Sequence, residues 1–218
     1  MKYGIRYLSL VLCLVILAGC LTVVTAAQEG IEATILFTHD LHSHFLPAVD
    51  EDGGEYGGYA RLMTAIRQQR AIDPNAILVD GGDFAMGSLF QTAYPTDALE
   101  LRMMGAMGYD ATTFGNHEYD YLQSGLKGML NAAVASGDRL PEIVCANYLP
   151  PVEGQEGYDA DLWATYNAYG VKDYTILERG GVYYLLFGIF GFSSDDGAPN
   201  SGMILEDPVE AAKATVAA

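Results

Sequence analysis

The sequence predicts an α/β domain with a parallel sheet, and three observations predict it. Half of the 218 residues are apolar, which supports a packed core and excludes a disordered or fibrous chain. Four short apolar stretches alternate with segments of helical period in the order β-α-β-α-β-α-β, the pattern of parallel strands joined by crossover helices. Motifs rich in Asp, Asn and His follow the ends of the first three strands, where α/β sheets place their ligands.

The first strand is predicted over 33–37, ending at Thr38 and followed by a polar run to His44. Residues 50–58, acidic and rich in glycine, predict a surface loop. Tyr59, Leu62, Met63 and Ile66 recur at helical spacing with Arg61, Arg67 and Arg70 largely off that stripe, so a helix is expected to end before Asp73-Pro74. A second strand over 76–79 leads into the turn Asp80-Gly81-Gly82-Asp83. A helix over 96–104 and a strand over 109–114 follow, with residues 116–120 as the loop at that strand's carboxyl end. Leu122, Leu126, Met129, Leu130 and Ala133 mark the next helix, and 142–146 the fourth strand.

Residues 150–170, rich in Glu, Gly, Asp and Tyr, predict a loop whose Tyr158, Trp163, Tyr166 and Tyr169 are packed rather than base-stacking. Two strands over 173–178 and 182–190, joined by Arg179-Gly180-Gly181, predict a hairpin. A last helix is expected to start with Asp207 as cap, Pro208 in the first helical position and Glu210 as capping-box partner, and to run to Ala218.

At the amino end, Lys2 and Arg6 precede an apolar run, the pattern of a secretory signal. Two processing sites compete: a signal peptide over 1–27, or a lipoprotein signal over 1–19 whose cleavage leaves Cys20 lipidated. Either predicts export, to the periplasm, the cell surface or the medium. A retained membrane helix needs about 20 apolar residues, which 8–27 barely supplies. Cleavage beyond Cys20 leaves Cys145 alone, so no intrachain disulfide framework is expected. Loss of Lys2 and Arg6 takes the 11 basic residues to 9 against 28 acidic ones, a net charge of about −19 that repels nucleic acid polymers and anionic membranes. A phosphate bound to such a chain needs concentrated local positive charge, which metal ions supply.

Three of the four histidines, His39, His42 and His44, fall in one short stretch, and the fourth is His117. Asp40 and His42 offer a hard oxygen and an imidazole nitrogen two residues apart on one side of an extended loop, a natural pair of ligands for a divalent ion. Gly81 and Gly82 let the Asp83 carboxylate approach closely, and a carboxylate there can bridge two cations. Asn116 offers a neutral amide oxygen, suited to a second ion of modest ligand charge. His117 is either a further ligand or, with Asp120 three residues on to fix its tautomer, a proton donor or a stabiliser of phosphoryl charge. Each of these motifs alone is a common turn or loop; their shared position past strand ends is what points to a site.

In order along the chain, Thr38-His39-Asp40-Leu41-His42-Ser43-His44, Gly57-Gly58-Tyr59-Ala60-Arg61, Asp80-Gly81-Gly82-Asp83, Gly115-Asn116-His117-Glu118-Tyr119-Asp120 and Cys145-Ala146-Asn147 resemble the bacterial 5′-nucleotidases and UDP-sugar hydrolases, exported members of the calcineurin-like metallophosphoesterases. The resemblance runs from about Ile35 to the carboxyl terminus. It implies a four-layer α/β/β/α metallophosphoesterase sandwich, here expected to be incomplete at the C-terminus, with residues 31–218 as the N-terminal part of the domain. It also implies two divalent ions, zinc, manganese or similar. By position Asp40 and His42 would hold the first, Asp83 would bridge both and Asn116 would hold the second. His117, oriented by Asp120, would stabilise the transition state or protonate the leaving group.

Three departures stand out. His39 and Ser43 occupy positions where the family often has Asn and Gly. No histidine follows His117, although the family completes both metal shells from later loops. The chain has no length for the second domain whose aromatic residues stack on the base. The expected activity is metal-dependent hydrolysis of a nucleotide phosphoester (5′-nucleotidase, cyclic phosphodiesterase or nucleotide-sugar hydrolase type), weak or absent in this chain by itself. The rival expectations are a non-catalytic exported module that binds metal or another ligand on the same fold, and a hydrolase of a sulfur ester.

Overall fold

The computed structural model describes Gly30 and residues 32–218, and its compact unit is Ala33–Ala218. The expected export segment 1–27, with Cys20, lies outside the described residues. Among the described residues no helix is long and apolar enough to cross a membrane.

Strand β1 (Ile35–Thr38) leads through the short antiparallel pair β2 (Ala48–Val49) and β3 (Glu55–Tyr56) into helix α1 (Tyr59–Ile72), which ends before Pro74 as its stripe requires. Strand β4 (Ile77–Asp80) follows, then a 3-10 turn over Leu89–Ala93 and two short helices, α2 (Tyr94–Asp97) and α3 (Leu99–Met107). One helix over 96–104 was the expectation; the chain instead breaks at Ala98, whose φ is +47°. The break accompanies two different packings. The Pro95 end of α2 lies against Gly128, where a Cβ would come within 2.5 Å of the Pro95 carbonyl, while Leu101 and Met104 of α3 enter the core.

Strand β5 (Ala111–Thr112), helix α4 (Leu122–Ser136) and strand β6 (Glu142–Ile143) complete a four-stranded parallel sheet in the order β1-β4-β5-β6, with Leu36 opposite Leu78, Val79 opposite Ala111 and Thr112 opposite Ile143. This is the α/β pattern that the alternation of elements predicts. On one face Leu78 and Ile143 pack with Ile66, Leu101, Met104, Leu126, Met129 and Leu130 from the helices, each such side chain contributing roughly 1.5–3 kcal/mol when taken from water. On the other, Phe37, Val79 and Ala111 line an open hollow of about 320 Å³ with Leu185 and Phe187.

Beyond the sheet come β7 (Tyr148–Leu149), helix α5 (Ala160–Tyr169), the hairpin β8 (Tyr174–Arg179) and β9 (Val182–Phe187), helix α6 (Phe192–Gly197), β10 (Ile204–Leu205), which pairs antiparallel with β7, and helix α7 (Pro208–Ala217). Helix α5 corrects the expected loop over 150–170. Asp159 Oδ1 accepts the Asp161 and Leu162 amides at its start, and Gly170, with φ of +89°, ends it. Its buried stripe is only Leu162, Thr165 and Tyr166, too short and too polar to register as a period. The aromatics are packed as expected, but on a helix: Tyr166 is buried, the Trp163 indole donates to the Pro151 carbonyl (2.8 Å) and the Tyr169 hydroxyl to the Pro141 carbonyl (2.8 Å), while Tyr158 is exposed. Asp207 caps α7 as expected, accepting the Val209 and Glu210 amides, but the Glu210 carboxylate pairs with Lys213 instead of closing a capping box.

Two buried groups tie distant segments. Asn147 accepts the Phe190 amide (2.7 Å) and donates to the Phe190 and Glu206 carbonyls. Asp110, at the amino end of β5, accepts the Leu78 amide (2.9 Å) and the Arg179 guanidinium (2.9 Å), with Arg70 and Arg139 each 3.8 Å away.

Cys145 is buried, its thiol donates to the Tyr148 carbonyl (3.3 Å), and burial pushes that thiol up to about 11. Alkylation needs the thiolate. In the native protein at pH 8, iodoacetamide is therefore expected to leave Cys145 unmodified and to label it in denaturant, as read by peptide mass spectrometry; native labelling within minutes would show that this segment opens.

Candidate metal centre

In a parallel sheet the carboxyl ends of neighbouring strands lie on one edge about 4.8 Å apart, so the loops after β1, β4 and β5 start within roughly 10 Å of one another. Thr38, Asp80 and Thr112 end these strands. The buried Asp80 carboxylate joins them, accepting the Thr38 hydroxyl (2.6 Å), the Thr112 hydroxyl (3.0 Å) and the Gly82 amide (2.9 Å), and burial raises its pKa above the usual carboxylate range.

Past the edge the first two loops pair through their backbones. The amides of Asp40, His42 and Ser43 donate to the carbonyls of Gly82 (3.0 Å), Asp83 (3.1 Å) and Phe84 (2.9 Å). Four non-glycine residues here are left-handed: Asp40 (φ +52°), His42 (+47°), Ser43 (+51°) and Asp83 (+52°). Each costs about 1–2 kcal/mol relative to an ordinary conformation, so the pairing has to over-determine them. The second and third loops touch: a Cβ on Gly82 would come within 2.5 Å of the Gly115 nitrogen, and one on Gly115 would overlap the Asp83 carboxylate.

The result brings Asp40, His42 and Asp83 together, with one ligand atom from each within 4.8 Å of the others. Donors around one ion at about 2.0–2.2 Å stand up to roughly 4.3 Å apart, so less than an ångström of closure would let the three share a divalent cation. The donor chemistry fits as well: two hard carboxylates and one imidazole. Asp83 Oδ1 accepts the His117 amide (2.9 Å), and among the described residues no cationic side chain pairs with Asp83. Asp40 Oδ1 lies 3.4 Å from His42 Nε2, and a hydrogen bond from His39 holds the Asp40 carboxyl below its usual range. His44 is exposed.

The third loop carries Asn116 and His117. The Asn116 side chain lies against Gly197 and makes no hydrogen bond among the described residues. The His117 ring meets the His42 ring edge to face, centroids 5.0 Å apart, and its Nδ1 is 2.9 Å from Asp120 Oδ2, which leaves Nε2 as the open end. Sequence reasoning passed over one carboxylate of this site, Asp80, and read a second, Glu118, as structural rather than catalytic without locating its partners. Asp80 looked like part of a turn, and its signal, Thr38 and Thr112 at the ends of neighbouring strands, needs the strand order. Glu118, fully buried, accepts three backbone amides, Asp83, Ala85 and Gly115, and burial pushes its carboxyl up to about 8.

Human 5′-nucleotidase is 31% identical over 193 residues, covering 83% of this chain and 30% of the human protein. The trifunctional nucleotide phosphoesterase YfkN of Bacillus subtilis is 31% identical over 210 residues, covering 88% of this chain and 13% of the relative. The chain thus spans less than a third of either. Among solved structures, a 5′-nucleotidase precursor from Thermus thermophilus superposes with a TM-score of 0.65 at 24% identity, covering 85% of this chain and 34% of the other. The NAD nucleotidase of Haemophilus influenzae gives 0.64 at 21% identity, covering 86% and 35%. These two likenesses establish the fold. A family model described as calcineurin-like phosphoesterase matches residues 33–208, which include every candidate ligand loop, and the chain belongs to that family.

Proposed function

We propose that the chain carries the metal-binding core of a phosphoester hydrolase acting on nucleotides, of the 5′-nucleotidase, cyclic phosphodiesterase or nucleotide-sugar hydrolase type. The observation that supports this best is the meeting of Asp40, His42 and Asp83 with the His117–Asp120 pair at one sheet edge. Asp40 and His42 would hold a first divalent ion, Asp83 would bridge to a second and Asn116 would hold that one. Ions bound there would supply Lewis-acid polarisation of a phosphoryl oxygen and acidification of water.

The chain's own residues do the rest. With the Asp120 carboxylate on Nδ1, the His117 ring is held so that Nε2 is the nitrogen that would donate to the leaving oxygen or to a charged phosphoryl oxygen. The acidic surface repels polyanions and leaves this edge as the place for a small phosphoester. Asn116 and Asp83 are the only side chains assigned to the second ion, so turnover by the 218-residue chain is expected to be weak. Export through a signal over 1–27, or through one over 1–19 that leaves Cys20 lipidated, belongs to the same proposal, and mass spectrometry of the mature amino terminus decides between the two.

His117→Ala tests the chemistry. With manganese or zinc added, kcat toward a chromogenic phosphodiester or a nucleoside monophosphate is expected to fall about 10²–10⁴-fold while metal binding by titration calorimetry stays within roughly tenfold. Unchanged turnover would remove His117 from the chemistry, a wild-type chain that binds metal but turns nothing over would favour the non-catalytic binding module, and a wild-type chain that binds neither ion ends the metal reading altogether.

A further inference from the structure

We propose that Glu118 is the positioning residue of this centre: one buried carboxylate that ties the loop after β4 to the loop after β5 and so sets where Asp83 and His117 stand. The inference rests on the metal centre proposed above.

Three observations carry it. Glu118 Oε2 accepts the Asp83 amide (3.0 Å) and the Gly115 amide (2.6 Å), one from each loop, and Oε1 accepts the Ala85 amide (3.0 Å). The clamp is itself held, because the Tyr94 hydroxyl donates to the Glu118 carbonyl (2.7 Å) from helix α2. It also acts where the loops have no slack: Gly82 and Gly115 approach too closely for a Cβ on either, and Asp83 Oδ1 in turn takes the His117 amide. A shift of either loop would move the candidate bridging carboxylate and the candidate proton donor relative to each other. Glu118 lies fully buried and its side-chain hydrogen bonds are all to backbone amides, so its effect passes through the backbone.

Chemistry predicts a graded series. Glu118→Gln keeps one acceptor oxygen and so up to two of the three amide bonds, but turns an N–H₂ toward a backbone N–H; Glu118→Ala keeps none. Three readouts on the full chain test this: amide hydrogen exchange, Co²⁺ affinity and the visible spectrum of bound Co²⁺. An Ile66 substitution chosen to match the loss of Tm serves as a control, since Ile66 is a core residue of α1.

The expected result is a loss of exchange protection of tenfold or more at Asp83, Ala85 and Gly115, together with Co²⁺ binding weakened about 10–100-fold and a changed spectrum, larger in Glu118→Ala than in Glu118→Gln. The matched Ile66 variant should show none of the spectral change. Exposed amides with unchanged Co²⁺ affinity and spectrum, or an equal effect in the Ile66 variant, would reduce Glu118 to a stability element and overturn the proposal; so would unchanged protection at the three amides. A wild-type chain that binds no Co²⁺ overturns the metal centre instead, and the exchange data still decide whether Glu118 ties the loops.

Discussion

Asp83→Ala is expected to lower phosphoesterase kcat/KM by at least about 10³-fold, roughly 4 kcal/mol of transition-state stabilisation, and to remove metal binding from the loop after β4. Asp83 is the point of convergence. It supplies one of the three clustered ligand atoms, and its Oδ1 also holds the His117 amide, so alanine removes a donor and an anchor together. Asp83→Asn separates the two roles: an amide oxygen can still accept the His117 N–H, but the charge that would neutralise a divalent ion is gone. The asparagine variant should therefore keep the hydrogen-exchange pattern of the third loop and lose metal affinity, whereas alanine should lose both. The asparagine variant should leave the Tm of the metal-free protein nearly unchanged, because its amide oxygen keeps the His117 contact, whereas alanine loses that contact and places a residue without a local hydrogen bond at φ +52°. Manganese titration and turnover of a phosphodiester give the measurement. Wild-type affinity and rate in Asp83→Ala would mean that these loops hold no catalytic ion.

The second large effect concerns stability and lies at the other edge of the sheet. Asp110→Ala should destabilise the fold by about 2–4 kcal/mol, because it leaves the Leu78 amide without an acceptor and three partly exposed guanidinium groups without their shared anion. The carboxylate is only 6% exposed, so solvent cannot replace it. At this chain length the change corresponds to a fall of roughly 10 °C in Tm, read by calorimetry or circular dichroism. Asp110 stands at the start of β5 and the ligand loops follow the strand ends, so the folded fraction should bind metal normally. A variant with unchanged Tm would show that the arginines are satisfied by water and that the cluster is peripheral to stability.

Much of the candidate site is legible in the chain because its candidate ligands are local to strand ends. Asp40 and His42 follow β1 within a few residues, Asp83 follows β4 and Asn116 with His117 follows β5. Parallel strands put all three carboxyl ends on one edge whatever their order, so convergence could be expected before any coordinate was known. The misread parts share a cause too. Helix α5 is held by its Asp159 cap and by three side chains on a core that other segments build, and the break at Ala98 reflects where α2 and α3 pack, not a local signal such as glycine. Glu210 had a suitable capping-box position, but Lys213 one turn on competed for it and won.

What the amino-acid order determined by itself was the alternation of strands and helices, the left-to-right sequence of ligand motifs and the His117–Asp120 pair, all of which depend on neighbours within a few residues. Only the tertiary structure decided the strand order β1-β4-β5-β6, the three amides gathered by Glu118 and the arginines gathered by Asp110. Those partners lie up to 69 residues apart, and a hydrogen bond over that distance in the chain exists only once register and packing have set both ends within about 3 Å.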